Sequence, residues 1–224
     1  MLDVRDYLLF VDTETSGLPA DWSLPYSADD NWPYIVQLAW VVYTKDGERV
    51  KGENHYLRIG DHPINPTSSQ IHGITPEFLE QHGQDPQVVL QQLQDDLYEY
   101  RPLVVGHFMQ LDFHMVGAGF FRSDLINPLP QLPTFCTMKV TAQFVRPSRQ
   151  RYLSLGQLYE RLFHEKLNNQ HDAWVDVQAT AECFFELWRK GDIDEQIVLH
   201  QQPDSGSLYP APRPPRRWLR WLGL

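Results

Sequence analysis

Asp12 and Glu14 stand two positions apart at the end of the apolar run Tyr7 to Asp12, YLLFVD. On an extended chain that spacing puts both side chains on one face. Two carboxylates so placed repel each other and raise at least one pKa, and hard divalent cations relieve the repulsion by accepting oxygen ligands. A solvated turn also carries such a pair, so Asp-x-Glu points to a metal only in company.

Two further acids supply that company. Asp112, in GHFMQLDFHMV, lies among Leu111, Phe113, Met115 and Val116, where an unpaired carboxylate is costly. Capping the helix that begins there is its structural alternative. Asp176 follows His171 by five residues in HDAWVDVQAT, which places it in the first turns of a helix with the histidine just before. The helix dipole stabilises an acid there, and Asp172 has the chemistry of a cap. Val177 belongs to an apolar stripe, so its neighbour Asp176 can turn its carboxylate toward the strand ends. His107 and His114 have the simpler reading of hydrogen-bonded core or surface histidines. Their spacing does not match a helical zinc pair and no thiol completes a soft site, so zinc is rejected there.

The elements that must position these groups are readable from pattern. YLLFVD reads as a buried strand ending in the Gly- and Pro-containing TETSGLPA, which puts the acids at a strand terminus. Ile35 to Tyr43 and Arg49 to Ile59 read as two more strands, joined through the Asp46-Gly47 hairpin signal. From Asp85 to Tyr100, Val89, Leu93, Leu97 and Tyr100 recur at helical spacing until Pro102. Leu103 to Gly106 is a short buried strand, and Leu111 to Phe121 is a helix despite two glycines. Helices are also expected around Met138 to Phe144 and Ser154 to Phe163. In Trp174 to Arg189 the residues Val177, Ala181, Phe184 and Trp188 make the clearest stripe. Strands first, then a strand among helices, predict an α/β architecture with a mixed central sheet flanked by helices.

The chain has 224 residues, 42% of them hydrophobic and 21% charged, which suits one folded domain of ordinary composition. A net charge of −10 argues against coating a long duplex, since that needs many Lys and Arg phosphate contacts. It does not argue against gripping one strand end, where bound cations supply local positive charge. No apolar run is long enough for a transmembrane segment, and no basic region leads into an apolar stretch at the N-terminus. Cys136 and Cys183 are far apart, without a CxxC partner, and read as reduced core thiols. A cytoplasmic location is the expectation.

Taken together, FVDTETSGL, GHFMQLDF and HDAWVD resemble the three motifs of the DEDDh (DnaQ-like) exonucleases, a family that includes the proofreading epsilon subunit of bacterial DNA polymerase and many RNA-trimming enzymes. IHGIT at Ile71 to Thr75 and CTMKVT at Cys136 to Thr141 also resemble family segments, and the likeness runs in order to about Leu187. It implies a ribonuclease-H-like fold in which Asp12, Glu14, Asp112 and Asp176 hold two divalent cations, Mg²⁺ or Mn²⁺, and His171 is the general base. It implies a 3′-to-5′ exonuclease acting on a nucleic-acid 3′ end, single-stranded by preference, that releases nucleoside 5′-monophosphates. Thr15, Leu18 and His72 would lie near the terminal nucleotide. Phe108 stands where many relatives have Asn, and Leu111 where Phe is frequent. Two cations about 3.5 to 4 Å apart suit an in-line displacement, and an ordinary histidine, with a pKa near 6.5, is neutral enough to take a proton from water.

Two segments lie outside this plan. Pro19 to Pro33 is a long polar loop with two tryptophans, read either as partner-facing or as an Ω-like loop pinned by its own aromatics. The exonuclease domain is expected over 1–197, with a Pro-rich linker and a basic Trp/Arg tail, ending RRWLRWLGL, over 198–224. Such a tail suits a polymerase or helicase partner, an anionic membrane surface or nucleic acid, and a solvated tail is the plain alternative. Two alternatives to a free enzyme are a polymerase-associated proofreading or accessory subunit in DNA repair, and a non-catalytic nucleic-acid-binding module. The latter requires losing one of the five chemical residues, and none is lost.

Overall fold

A computed structural model describes residues 5–28, 30–145 and 151–201. Its centre is a five-stranded sheet built from β1 (Tyr7–Thr15), β2 (Ile35–Thr44), β3 (Arg49–Tyr56), β4 (Leu103–Gly106) and β5 (Thr134–Cys136), in the order β3-β2-β1-β4-β5. The first three strands pair antiparallel, while β1–β4 and β4–β5 are parallel. Gly47, at φ +90°, turns the chain between β2 and β3 as the Asp-Gly signal requires.

The sheet separates two cores because side chains alternate along β1. Leu9 and Val11 face α3 (Pro86–Tyr100) and α4 (Met109–Arg122), whereas Leu8 and Phe10 face α6 (Leu155–Phe163) and α7 (Ala173–Lys190). Phe10, Trp40 and Phe184 are among the largest fully buried side chains, each worth about 1.5–3 kcal/mol of apolar transfer. The result is the ribonuclease-H-like layering expected from the sequence, a mixed sheet covered on both faces by helices.

Several details differ from expectation. β1 continues through both acids to Thr15, because β2 supplies partners as far as Ile35, and a register shift follows Glu14. The expected helix at 138–144 is broken into α5 (Thr137–Val140) and a 3₁₀ turn, Thr141–Phe144. Trp188, at the end of the α7 stripe, is exposed, and it stacks on Phe184. Two short helices, α1 (Pro66–His72) and α2 (Pro76–His82), and a last one, α8 (Glu195–His200), were not foreseen. Val198 of α8 is buried, and the Gln201 amide bonds both backbone groups of Cys136. The packed body therefore runs past residue 197, the boundary expected from sequence, to Gln201. The basic tail lies outside the described residues. No helix among the described residues is long and apolar enough to cross a membrane.

The Pro19–Pro33 loop is held against α4 by its own aromatics. Trp32 stacks on His114 at 5.1 Å, Trp22 packs edge-on to both, and Tyr26 Oη is 3.1 Å from His114 Nδ1.

Candidate active site

The alternation that separates the cores also places the acids. Asp12 and Glu14 share the face of Leu8 and Phe10, toward α7, while Thr13 faces α4. Asp112 and Asp176 are each the fourth residue of their helix, α4 and α7. The two helices lie on opposite faces of the sheet, and their first turns meet at the C-terminal end of β1.

The Thr13 hydroxyl donates to Asp112 Oδ1 at 2.8 Å, within a fully buried contact. Gly106 packs closely beside it: a Cβ there would lie 3.2 Å from Asp112 Oδ2 and 3.0 Å from Met109 Sδ, so a side chain would press on the carboxylate. Asp112 does not cap α4, whose N-cap position is taken by Phe108 in a left-handed conformation (φ +76°) with no side-chain cap bond. On the other face Asp172 is the cap of α7, its Oδ1 accepting from the Trp174 N–H at 2.9 Å. His171, exposed and left-handed at φ +67°, donates its backbone N–H to Asp176 Oδ2 at 3.0 Å. One oxygen or nitrogen of each of Glu14, His171 and Asp176 lies within 4.8 Å of the others.

The electrostatics tie Asp12 and Asp112 to that trio. Burial, and then the charges of Asp112, Asp176, Glu14 and Asp172, push the Asp12 carboxyl well above the usual carboxylate range. Burial followed by Asp176, Asp112 and Asp172 raises Glu14 to about 8. Asp112 is raised to about 7, chiefly by burial, even though Thr13 opposes the shift. Burial brings Asp176 to about 6, with the His171 contacts pulling it down. Asp176 Oδ1 is buried without a hydrogen-bond partner among the described residues. A cluster of mutually repelling carboxylates with one orphaned oxygen fits hard divalent cations.

The remaining residues expected at the site divide. His72 Nδ1 accepts from the Ile74 N–H at 3.0 Å, which leaves Nε2 as the donor toward the Thr15 carbonyl at 3.3 Å. Burial lowers the His72 pKa and keeps that ring neutral. The Thr15 hydroxyl donates to the Gly17 carbonyl at 2.6 Å and is buried, while Leu18 is 69% exposed. His107 and His114 are core histidines, as their simpler reading held. Burial lowers each to about 4, and His107 bridges Thr137 Oγ1 and the Leu153 carbonyl. Sequence reading missed Thr13, the donor to Asp112, and Gln37, the polar interruption in the apolar strand IVQLAWVVY.

The sequence matches the RNase T family profile, described as exonuclease, over residues 9–184. The chain belongs to that exonuclease family. Its fold is shared with solved structures of E. coli Exonuclease I. The complex with a dT13 oligonucleotide has a TM-score of 0.66 at 18% identity, over 83% of this chain and 41% of that one. The zinc-bound form of the E. coli ExoI–ssDNA complex has a TM-score of 0.68 at 17% identity, covering 87% and 42%. Cell-death related nuclease 4 (CRN-4) has a TM-score of 0.61 at 18% identity, covering 84% and 65%. The chain thus spans about two fifths of the length of Exonuclease I. No curated protein matches the sequence.

Proposed function

We propose that this exonuclease works from the 3′ end, removing nucleoside 5′-monophosphates from a single strand. In this reading Asp12, Glu14, Asp112 and Asp176 hold two divalent cations, Mg²⁺ or Mn²⁺. His171 takes the proton of the attacking water, as in the DEDDh subclass to which the epsilon subunit belongs. The observation that carries it is the convergence of four carboxylates with raised pKa values at one strand end, beside an exposed histidine.

When bound, the cations polarise the phosphodiester and lower the pKa of water. The protein's own groups orient and exclude. Asp176 fixes the backbone of His171 through the 3.0 Å bond, so the imidazole starts at the rim of the acid cluster, open to solvent. Proton removal by a positioned histidine is worth roughly 10²- to 10⁴-fold. Leu18 offers an apolar side chain to a base, and His72, neutral, holds the Thr15 turn from which Leu18 projects. A single-stranded substrate is supported by the E. coli Exonuclease I complex with a dT13 oligonucleotide. A cytoplasmic location and a polymerase or helicase partner for the C-terminal segment are part of the same reading.

Matched single-stranded DNA, duplex DNA and RNA, labelled at either end, are the test, in Mg²⁺, Mn²⁺ and chelator. Monophosphates should leave the 3′ end in either metal, and His171→Ala should be slower by about a hundredfold or more. Activity that persists in chelator, or release from the 5′ end, overturns the proposal.

A further inference from the structure

Gln37 is 1% exposed, a buried amide in the middle of the sheet. On β2 it stands in register with Glu14 on one side and with Tyr56 of β3 on the other. Cross-strand partners in such a pair have Cβ atoms about 4.5–5.5 Å apart on one face, so this amide is the immediate neighbour of a site carboxylate.

Both N–H donors and the oxygen of that amide are engaged, and two of its three bonds go to the turn that carries His171. Nε2 donates to Asn54 Oδ1 at 3.0 Å and to Asp172 Oδ1 at 3.1 Å. Oε1 accepts the Ala173 N–H at 3.2 Å. Asp172 Oδ1 in turn accepts the Trp174 N–H. Residues 172 and 173 directly follow His171, whose left-handed backbone is a conformation an L-residue keeps only when its surroundings fix it. Asp176 Oδ2 holds it from the helix side, and Gln37 holds the two residues that follow it from the sheet side. The same donor also engages the Asp172 carboxylate, which stands next to a cluster that already contains four acids.

We infer that Gln37 is the positioning residue for His171: its amide ties the 171–173 turn to the sheet beside Glu14 and keeps the Asp172 carboxylate directed into the helix cap. The inference rests on the proposed role of His171. Gln37 touches no substrate, and it acts through the placement of the base. Loss of the amide should therefore slow turnover and leave strand binding and cation binding in place.

The test compares Gln37→Met, close in shape and without the amide, with wild type, His171→Ala and the double variant. Gln37→Met should lower kcat roughly tenfold to a hundredfold, the scale on which a misplaced group costs rate. KM for a single-stranded oligonucleotide and the Mn²⁺ affinity measured by titration should each stay within about threefold, since no binding group is removed. Amide exchange at Ala173 should quicken while the middle of α7 stays protected. In the His171→Ala background the substitution should add little, because groups acting as a unit are non-additive.

A wild-type kcat in Gln37→Met, or a full multiplicative loss in the double variant, overturns the positioning role alone. A His171→Ala variant as fast as wild type overturns the role of His171 and this inference with it. Should Gln37→Met not fold, Asp172→Ser keeps a helix cap but is too short to reach Gln37. It should show the same fall in kcat at unchanged KM, and wild-type turnover there overturns the inference.

Discussion

The helices α4 and α7 deliver the same residue at the same position, an aspartate at the fourth place, and surround it differently. Asp112 is held by Thr13 and wedged against Gly106, and its helix begins without a side-chain cap. Asp176 leaves one oxygen without a partner among the described residues and spends the other on the backbone of His171, in a helix that is capped and tied to the sheet. The α4 side is thus satisfied internally before any ligand arrives. The α7 side keeps open capacity and carries the exposed histidine. The difference teaches that matching positions in two helices do not mean matching roles: one acid is fixed by the fold, the other fixes a neighbour.

The largest expected effect comes from the strand between them. Asp12→Ala should reduce nucleotide release by about a thousandfold or more, since it removes the carboxylate proposed to hold cations for both sides. It should also raise the melting temperature in chelator at pH 8, because one repelling charge is gone. A mutant that is inactive and less stable at that pH would break this reading.

Titration sharpens the contrast next. Without cations, Asp176, Asp112 and Glu14 in the folded protein hold their protons to about 6, 7 and 8, against ordinary values of 3.8, 3.8 and 4.5. Between about pH 4 and 8 these carboxyls bind more protons folded than unfolded, which makes stability fall as pH rises. His107 and His114, lowered to about 4, act in the opposite sense below about pH 6.5, and the four raised carboxyls, Asp12 included, outweigh them. Melts in chelator should be lower at pH 8 than at pH 5, Mg²⁺ should restore the loss at pH 8, and its binding at pH 7 should release protons into a weak buffer. Equal melts at the two pH values would contradict the crowding of these acids.

A smaller effect is expected from Thr13→Val, which makes the α4 side resemble the α7 side by removing the hydroxyl that donates to Asp112 Oδ1. Stability should fall by about 1–3 kcal/mol and activity by about tenfold, read from denaturant melts and single-turnover rates. The smallest is a backbone effect. His171→Gly should be as slow as His171→Ala but more stable by about 1 kcal/mol, because glycine takes the left-handed conformation freely. No difference between the two would mean that the 171 turn carries no strain.

Much of the fold and the acids of the site were legible in the sequence because they rest on short-range patterns. β1, β2, α3 and α7 follow from apolar periodicity, and Asp12, Glu14, Asp112 and Asp176 stand out as acids in or beside apolar segments. α1 and α2 escaped because they have seven residues each and bury almost nothing, only Leu79 in α2. Their signals were the Asn65-Pro66 and Thr75-Pro76 cap pairs. Thr13 and Gln37 escaped for another reason. Their partners lie 99, 135 and 136 residues away, and no local pattern encodes such pairings. What sequence does show for Gln37 is an amide among Ile35, Val36, Leu38, Ala39 and Trp40, a position where a polar group has to find partners.

Both N-terminal turns at the site belong to helices whose aligned peptide dipoles leave roughly half a positive charge at that end. In a chain of net charge −10, the C-terminal end of β1 therefore has an electrostatic character its side chains alone would not give it. There the two dipole ends offset part of the charge of the four crowded carboxylates, and the rest of the relief that an anionic strand needs would come from the cations proposed to bind at that end.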